Sequence, residues 1–181
     1  MKDNSRLWLV LLLILIITGA FLLNNSFNNA MANGTFDGSW SSDDEIPQMT
    51  IYDQAGNPHN ITDFRGKPVV LHFWGTWSDG SVTGLPALVE KWQAYGEQVH
   101  FLFVTRPNNS QETMESVQNF MDTNGYDFPV YYDTTLEAGA ALSIESLPTT
   151  FFINSEGKCS LYGNGPLTPE DLQTGINDIL P

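Results

Sequence analysis

The sequence predicts an α/β domain, a three-layer sandwich whose mixed central sheet is flanked by helices, carried behind an N-terminal transmembrane helix. Three observations predict it. Pro68 to Trp74 and Val99 to Val104 are near-continuous apolar runs, as buried central strands require, and between them Leu85, Leu88, Val89 and Trp92 form a helical stripe. Thr149 to Ile153 and Cys159 to Tyr162 flank Asn154-Ser155-Glu156-Gly157, a hairpin that makes the sheet mixed. Leu7 to Leu23 is a run of 17 uncharged, mostly aliphatic residues.

At about 1.5 Å per residue the apolar run spans roughly 26 Å as a helix, near the lower limit for crossing a bilayer. Lys2 and Arg6 precede it and the next base is Arg65, an asymmetry that leaves residues 1–6 in the cytoplasm and everything after residue 23 outside. The competing reading is a cleaved signal peptide, with Ala30-Met31-Ala32 as a small-x-small site, although the run is longer than such peptides use. No cysteine stands directly behind the run, which excludes attachment as a lipoprotein. The expected organisation is a transmembrane signal-anchor over 7–23, a flexible extracytoplasmic linker over 24–45 rich in Asn, Ser, Gly and Asp, and a globular domain over 46–181. The protein is thus expected at the cell membrane, single-pass, with its domain on the extracytoplasmic side.

Within the domain, Met49 to Tyr52 reads as a strand, Ala55-Gly56-Asn57 as a turn, and His59 to Ile61 as a short return. Ile61 to Gly66 reads as one helical turn closed by glycine. A helix is expected from about Ser81 to Glu97, and another over Asn109 to Asp122. The second opens on an Asn109-x-x-Glu112 capping box and turns Met114, Val117, Phe120 and Met121 to one face. Phe128 to Tyr131 is a candidate short strand and Leu136 to Leu142 a short helix. Phe151 and Phe152 alternate across the sheet, so at least one is core. The last helix has Thr168 at its N-cap, Pro169 at its first position, and Leu172, Ile176, Ile179 and Leu180 inward.

Composition excludes some functions. After residue 30 the chain holds 20 acidic and 5 basic residues. Such a surface repels phosphate backbones, so nucleic acid is not an expected partner. His59, His72 and His100 have no metal-ligand spacing, and no cofactor is implied. The single cysteine, Cys159, has no partner within the chain and reads as a small buried filler.

The segment Phe73-Trp74-Gly75-Thr76-Trp77-Ser78-Asp79-Gly80-Ser81 runs from strand into turn into helix. Its register offers a serine where a nucleophile elbow would, but Thr76 stands where Gly-x-Ser-x-Gly needs its first glycine, and His72 is a core residue rather than a base.

Four stretches resemble one family: ITDFRGKPVVLHFWGTW, GLPAL around Pro86, SLPTTFFINSEGK and GPLTPEDL. In this order and spacing the region from Ile46 onward resembles the thioredoxin fold, most closely the membrane-anchored TlpA/ResA-type thiol–disulfide oxidoreductases. The resemblance implies a helix-kinking proline at Pro86 and a cis-proline at Pro148. It also implies a substrate groove formed by Trp77, Asp79, Gly80, Leu147, Pro148 and Thr149. Ser78 and Ser81 stand where the family has its redox cysteines, and His72 where relatives place a buried Asp or Asn that helps proton transfer.

A serine at a helix mouth stays protonated and forms no sulfur–sulfur bond, so family membership carries fold and address without the chemistry. Three readings of the serines stay open: helix caps only, remnants of a groove that still binds a polypeptide through backbone groups, or an engineered Cys-to-Ser form of an active enzyme. The favoured expectation is a redox-degenerate protein that binds an extracytoplasmic protein partner, or a thiol or disulfide protein. The alternatives are an active thiol–disulfide oxidoreductase or peroxidase-like enzyme using Cys159, or an accessory subunit of a membrane complex. Exposure of Trp77 is the sign that would favour binding.

Overall fold

The computed structural model of the chain describes residues 35–36, 44–107 and 111–181. The expected anchor at 7–23, and Asn109 of the expected capping box, lie outside these residues; among those described, no helix is long and apolar enough to cross a membrane.

Among the described residues the strands are β1 (Thr35–Phe36), β2 (Thr50–Tyr52), β3 (Pro58–Asn60), β4 (Val69–Trp74), β5 (His100–Thr105), β6 (Val130–Tyr132), β7 (Thr149–Ile153) and β8 (Cys159–Asn164). The helices are α1 (Asp79–Tyr95), α2 (Met114–Asn124), α3 (Glu137–Ala141) and α4 (Pro169–Ile179), with a 3-10 turn at Ile61–Phe64. The strands form one sheet in the order β1-β8-β7-β4-β5-β6-β2-β3. β4, β5 and β6 are parallel neighbours, while β7, β8 and the early hairpin β2–β3 run antiparallel to the strands they join. The mixed sheet expected from the sequence is therefore present.

β4 is buried along its whole length, which explains why its sequence shows no alternation. Its two faces nonetheless feed two cores. Val70 and Trp74 pack with Leu85, Leu88, Val117, Phe152, Leu172 and Ile176, beneath α1, α2 and α4. Leu71 and Phe73 pack with Ile51, Ile61, Ala138, Leu142, Phe151 and Cys159, beneath α3 and the 3-10 turn. Phe151 and Phe152 thus both serve as core, one on each face. Gly175 sets the approach of α4, because a Cβ there would come within 2.4 Å of the Phe152 ring.

Several boundaries shift. α1 begins at Asp79 rather than Ser81, and β6 is Val130–Tyr132 rather than Phe128 to Tyr131. The larger correction concerns α2. It starts at Met114, and its capping box joins Thr113 to Ser116, each side chain bonded to the other's backbone N–H. Glu112 precedes the helix and turns inward. Met114, expected on the buried face, is exposed at the first helical position. The Thr168 cap and Pro169 at the start of α4 hold as expected. Two residues of the segment read as linker, Thr35 and Phe36, pair with Asn164 and Gly163 as an added edge strand.

Candidate functional site

The site forms where the chain leaves β4, turns through Gly75–Thr76–Trp77 and enters α1. Ser78 is the N-cap residue: its Oγ accepts the Ser81 N–H at 3.3 Å and donates to the Leu147 carbonyl at 3.1 Å. Ser81, fully buried one turn along, accepts the Gly75 N–H on its own Oγ at 3.3 Å. One hydroxyl therefore ties the helix mouth to the neighbouring loop and the other ties it to the turn. Ser78 is a cap in the strict sense, satisfying a backbone donor that the helix start leaves over, while Ser81 satisfies a donor of the turn before it.

The neighbouring loop holds the Leu147–Pro148 peptide in the cis form, as the resemblance implied. It is fastened on three sides. Thr149 donates to the Ser146 carbonyl, Gly165 donates to the Pro148 carbonyl at 2.8 Å, and the Ser146 hydroxyl reaches Asn164. Gly80 makes the close packing possible, since a Cβ there would stand 3.2 Å from the Pro148 ring. Asp79 is exposed in the first turn of α1, where the helix dipole favours a carboxylate.

Trp77 is 47 % exposed. It borders a groove of about 270 Å³ whose other apolar walls are Leu136, Ile144 and Leu147, with Arg106 beneath and Glu145 and Ser146 on the rim. Of the residues assigned to the groove from sequence, Trp77 and Leu147 line this cavity. Asp79, Gly80, Pro148 and Thr149 lie beside it around the Ser78–Leu147 contact.

Three features of the site were not foreseen. Glu112 is buried and clamps the turn: its carboxylate accepts the Thr76 N–H at 2.9 Å, the Thr76 hydroxyl at 2.6 Å and the Thr105 hydroxyl at 2.8 Å. Arg106 lies against α3, with Nε 3.6 Å from the buried carboxylate of Asp133. That carboxylate in turn accepts the N–H groups of Ala138 and Gly139, opening α3. The contacts of Glu112 with Thr76 and of Arg106 with Asp133 join residues far apart in sequence. The hint available was the burial forced on Asp133 by an apolar strand on one side and a short helix on the other.

His72 was expected to be a satisfied core histidine and is only half so. Nδ1 sits 2.9 Å from the Thr150 hydroxyl, while the buried Nε2 has no partner. Burial holds its pKa down at about 3, so the folded protein carries it neutral. Since the unfolded chain protonates near pH 6.5, this group's contribution is complete above that pH and is lost as pH falls from 6.5 towards 3. By pH 5 the loss amounts to about 2 kcal/mol. His100, shifted the same way by burial and by Lys67, adds to it. Urea unfolding at pH 7.5 and pH 5 measures the drop, which is expected to shrink in His72→Leu; an equal drop in that variant would assign it elsewhere.

Cys159 is buried beneath the opposite face of the sheet, with Sγ 3.4 Å from the Leu161 carbonyl. Burial, then the Asp44 carboxylate, push its thiol up to about 12. A thiol of that kind is no nucleophile near neutrality. It is a core filler, and it lies on the face away from α1. Among the described residues no cluster of His, Cys, Asp and Glu is arranged to hold a metal.

Comparison with known proteins agrees with this architecture. Residues 43–161 match the model of the AhpC/TSA family. Over its full length the chain is 32 % identical to the thiol–disulfide oxidoreductase ResA of Geobacillus thermodenitrificans, covering 100 % of that protein. Against ResA of Bacillus subtilis the identity is also 32 %, covering 100 % of this chain and 97 % of the relative. Among solved structures, StoA from Bacillus subtilis superposes with a TM-score of 0.61 at 25 % identity, covering 72 % of this chain and 96 % of that one. A thiol:disulfide interchange protein DsbE from Chlorobium tepidum gives 0.67 at 21 % identity, over 79 % of this chain and 100 % of that one.

Proposed function

The chain belongs to the AhpC/TSA family of thioredoxin-fold proteins and is a full-length relative of the ResA thiol–disulfide oxidoreductases, and from that premise we propose that it binds polypeptides without exchanging electrons with them. It is held at the outer side of the cell membrane by the apolar run at 7–23, whose flanking charges set the orientation. The groove beside Ser78 and Pro148 takes an extended segment of a protein partner or of a thiol or disulfide protein.

The observation that carries this reading is Trp77. A large aromatic side chain left half in water costs solubility and gains nothing for the core, so its place at the rim of a groove fits recognition. Ser78 supports the same view, because its bond to the Leu147 carbonyl keeps helix mouth and loop assembled with no sulfur present. The Cys159 alternative has the opposite support: a buried thiol held far from ionisation on the wrong face of the sheet.

Two measurements on the detergent-solubilised full chain test the proposal. In an insulin-reduction assay the chain should add nothing to the dithiothreitol background, and Cys159→Ala should behave identically. In fluorescence anisotropy, labelled and alkylated insulin B chain should bind the protein and be released in Trp77→Ala. Reduction at the rate of an active ResA-type enzyme, or B-chain binding untouched by that substitution, would overturn it.

A further inference from the structure

The groove beside Trp77 has a charge pattern that selects among polypeptides. Its centre is apolar, formed by Trp77, Leu136 and Ile144, and Leu136 is 44 % exposed although its neighbour Ala138 is fully buried. The rim is acidic. Glu145 lies on the lining itself, Asp79 stands two residues beyond Trp77, and Glu137 follows Leu136 directly, all three exposed. An apolar centre within a charged rim is the anatomy of a protein interface, and a rim of one sign favours the opposite sign in the partner.

Arg106 is the one cation of that lining, and it is ion-paired within the chain, although its Nε has no hydrogen-bond partner. Its Nε faces the fully buried Asp133 carboxylate at 3.6 Å, and Nη1 points to the Ile144 carbonyl at 3.4 Å. The guanidinium lies so close to α3 that a Cβ on Gly139 would come within 2.6 Å of Cζ. Ion-paired with Asp133 and packed against α3, Arg106 is already engaged within the chain. The other described bases are engaged away from the groove: Arg65 with Glu45, Lys158 with Glu156, Lys67 with the Gly96 carbonyl and Lys91 with Gln173. The carboxylate on the lining is therefore Glu145, with exposed Asp79 and Glu137 as sequence neighbours of Trp77 and Leu136, within a chain of net charge −14.

We infer that the groove takes a large apolar side chain of a partner polypeptide flanked by lysine or arginine. The inference rests on the binding function proposed above and adds the chemistry of the partner to it. The apolar residue fills the space between Trp77 and Leu136, while the flanking cations pair with the rim carboxylates. The net negative field also speeds encounter with a basic segment and slows encounter with an acidic one.

The test uses the full chain in nonionic detergent and two labelled peptides, each with a central phenylalanine, flanked by lysines in one and by glutamates in the other. At low salt the lysine peptide is expected to bind at least about tenfold more tightly, an advantage that shrinks at physiological ionic strength. Glu145→Gln combined with Asp79→Asn and Glu137→Gln should remove most of that preference while the far-UV circular dichroism stays that of the folded protein. Equal affinity for the two peptides, or preference for the glutamate peptide, overturns the inference. So does a lysine preference that survives the three substitutions, since that would belong to the surface as a whole. B-chain binding with equal peptide affinities leaves the proposed function standing, whereas loss of all binding removes both.

Discussion

Replacing Ser78 and Ser81 together by cysteine is expected to create a titratable dithiol at the mouth of α1. The N-cap residue and the third residue of the helix lie about 5 Å apart between Cα atoms, inside the range a disulfide spans. The frame is already set: Ser78 caps α1 and touches the Leu147 carbonyl, and Ser81 is buried one turn along. The more accessible of the two, at position 78, takes the place of the attacking thiol, and the helix N-terminus should lower its pKa to about 7.5 or below. Titration with glutathione buffers should then show one two-electron transition, and insulin reduction should rise from background to a measurable rate. A folded double variant that forms no disulfide in oxidised glutathione would show that the two hydroxyls do not occupy the positions of a redox pair.

Removing the Glu112 carboxylate should cost more stability than any other single change at the site. Glu112→Ala strands the Thr76 N–H and the hydroxyls of Thr76 and Thr105, all at the end of the central parallel pair, and leaves a cavity besides. Breaking one side of a buried charged network of this kind costs about 3–5 kcal/mol. Glu112→Gln keeps an acceptor for the Thr76 N–H and fills the space, so about 1–2 kcal/mol is expected. Urea denaturation at pH 7 reads both, and the emission of Trp77 should shift in the alanine variant as the turn loosens. A loss below about 1 kcal/mol in Glu112→Ala would deny the clamp its role.

Glu112 also marks the line between what the sequence shows and what it hides. β4, α1 and α4 were legible because their signals are local: an apolar run, an i, i+3, i+4 stripe, and a threonine followed by proline and two acids. Asn109-x-x-Glu112 obeyed the same local grammar and misled, since that glutamate serves a turn 36 residues upstream, and the true box lay four residues later at Thr113 and Ser116. Arg106 and Asp133 escaped notice for the same reason, each acquiring its partner only when β5, β6 and α3 meet. His72 was placed correctly in the core, but a strand pattern cannot reveal that one ring nitrogen would find a hydroxyl and the other nothing. Ser78 and Ser81 were identified by position, while the bond from Ser78 to the Leu147 carbonyl required the loop itself.

The two rims of the sheet limit where another molecule can join it. One ends in the two residues Thr35 and Phe36, the other in Pro58 to Asn60, whose proline has no amide hydrogen to offer. Among the described residues neither rim strand exceeds three residues, and short edge strands of this kind give a further strand little backbone to pair with.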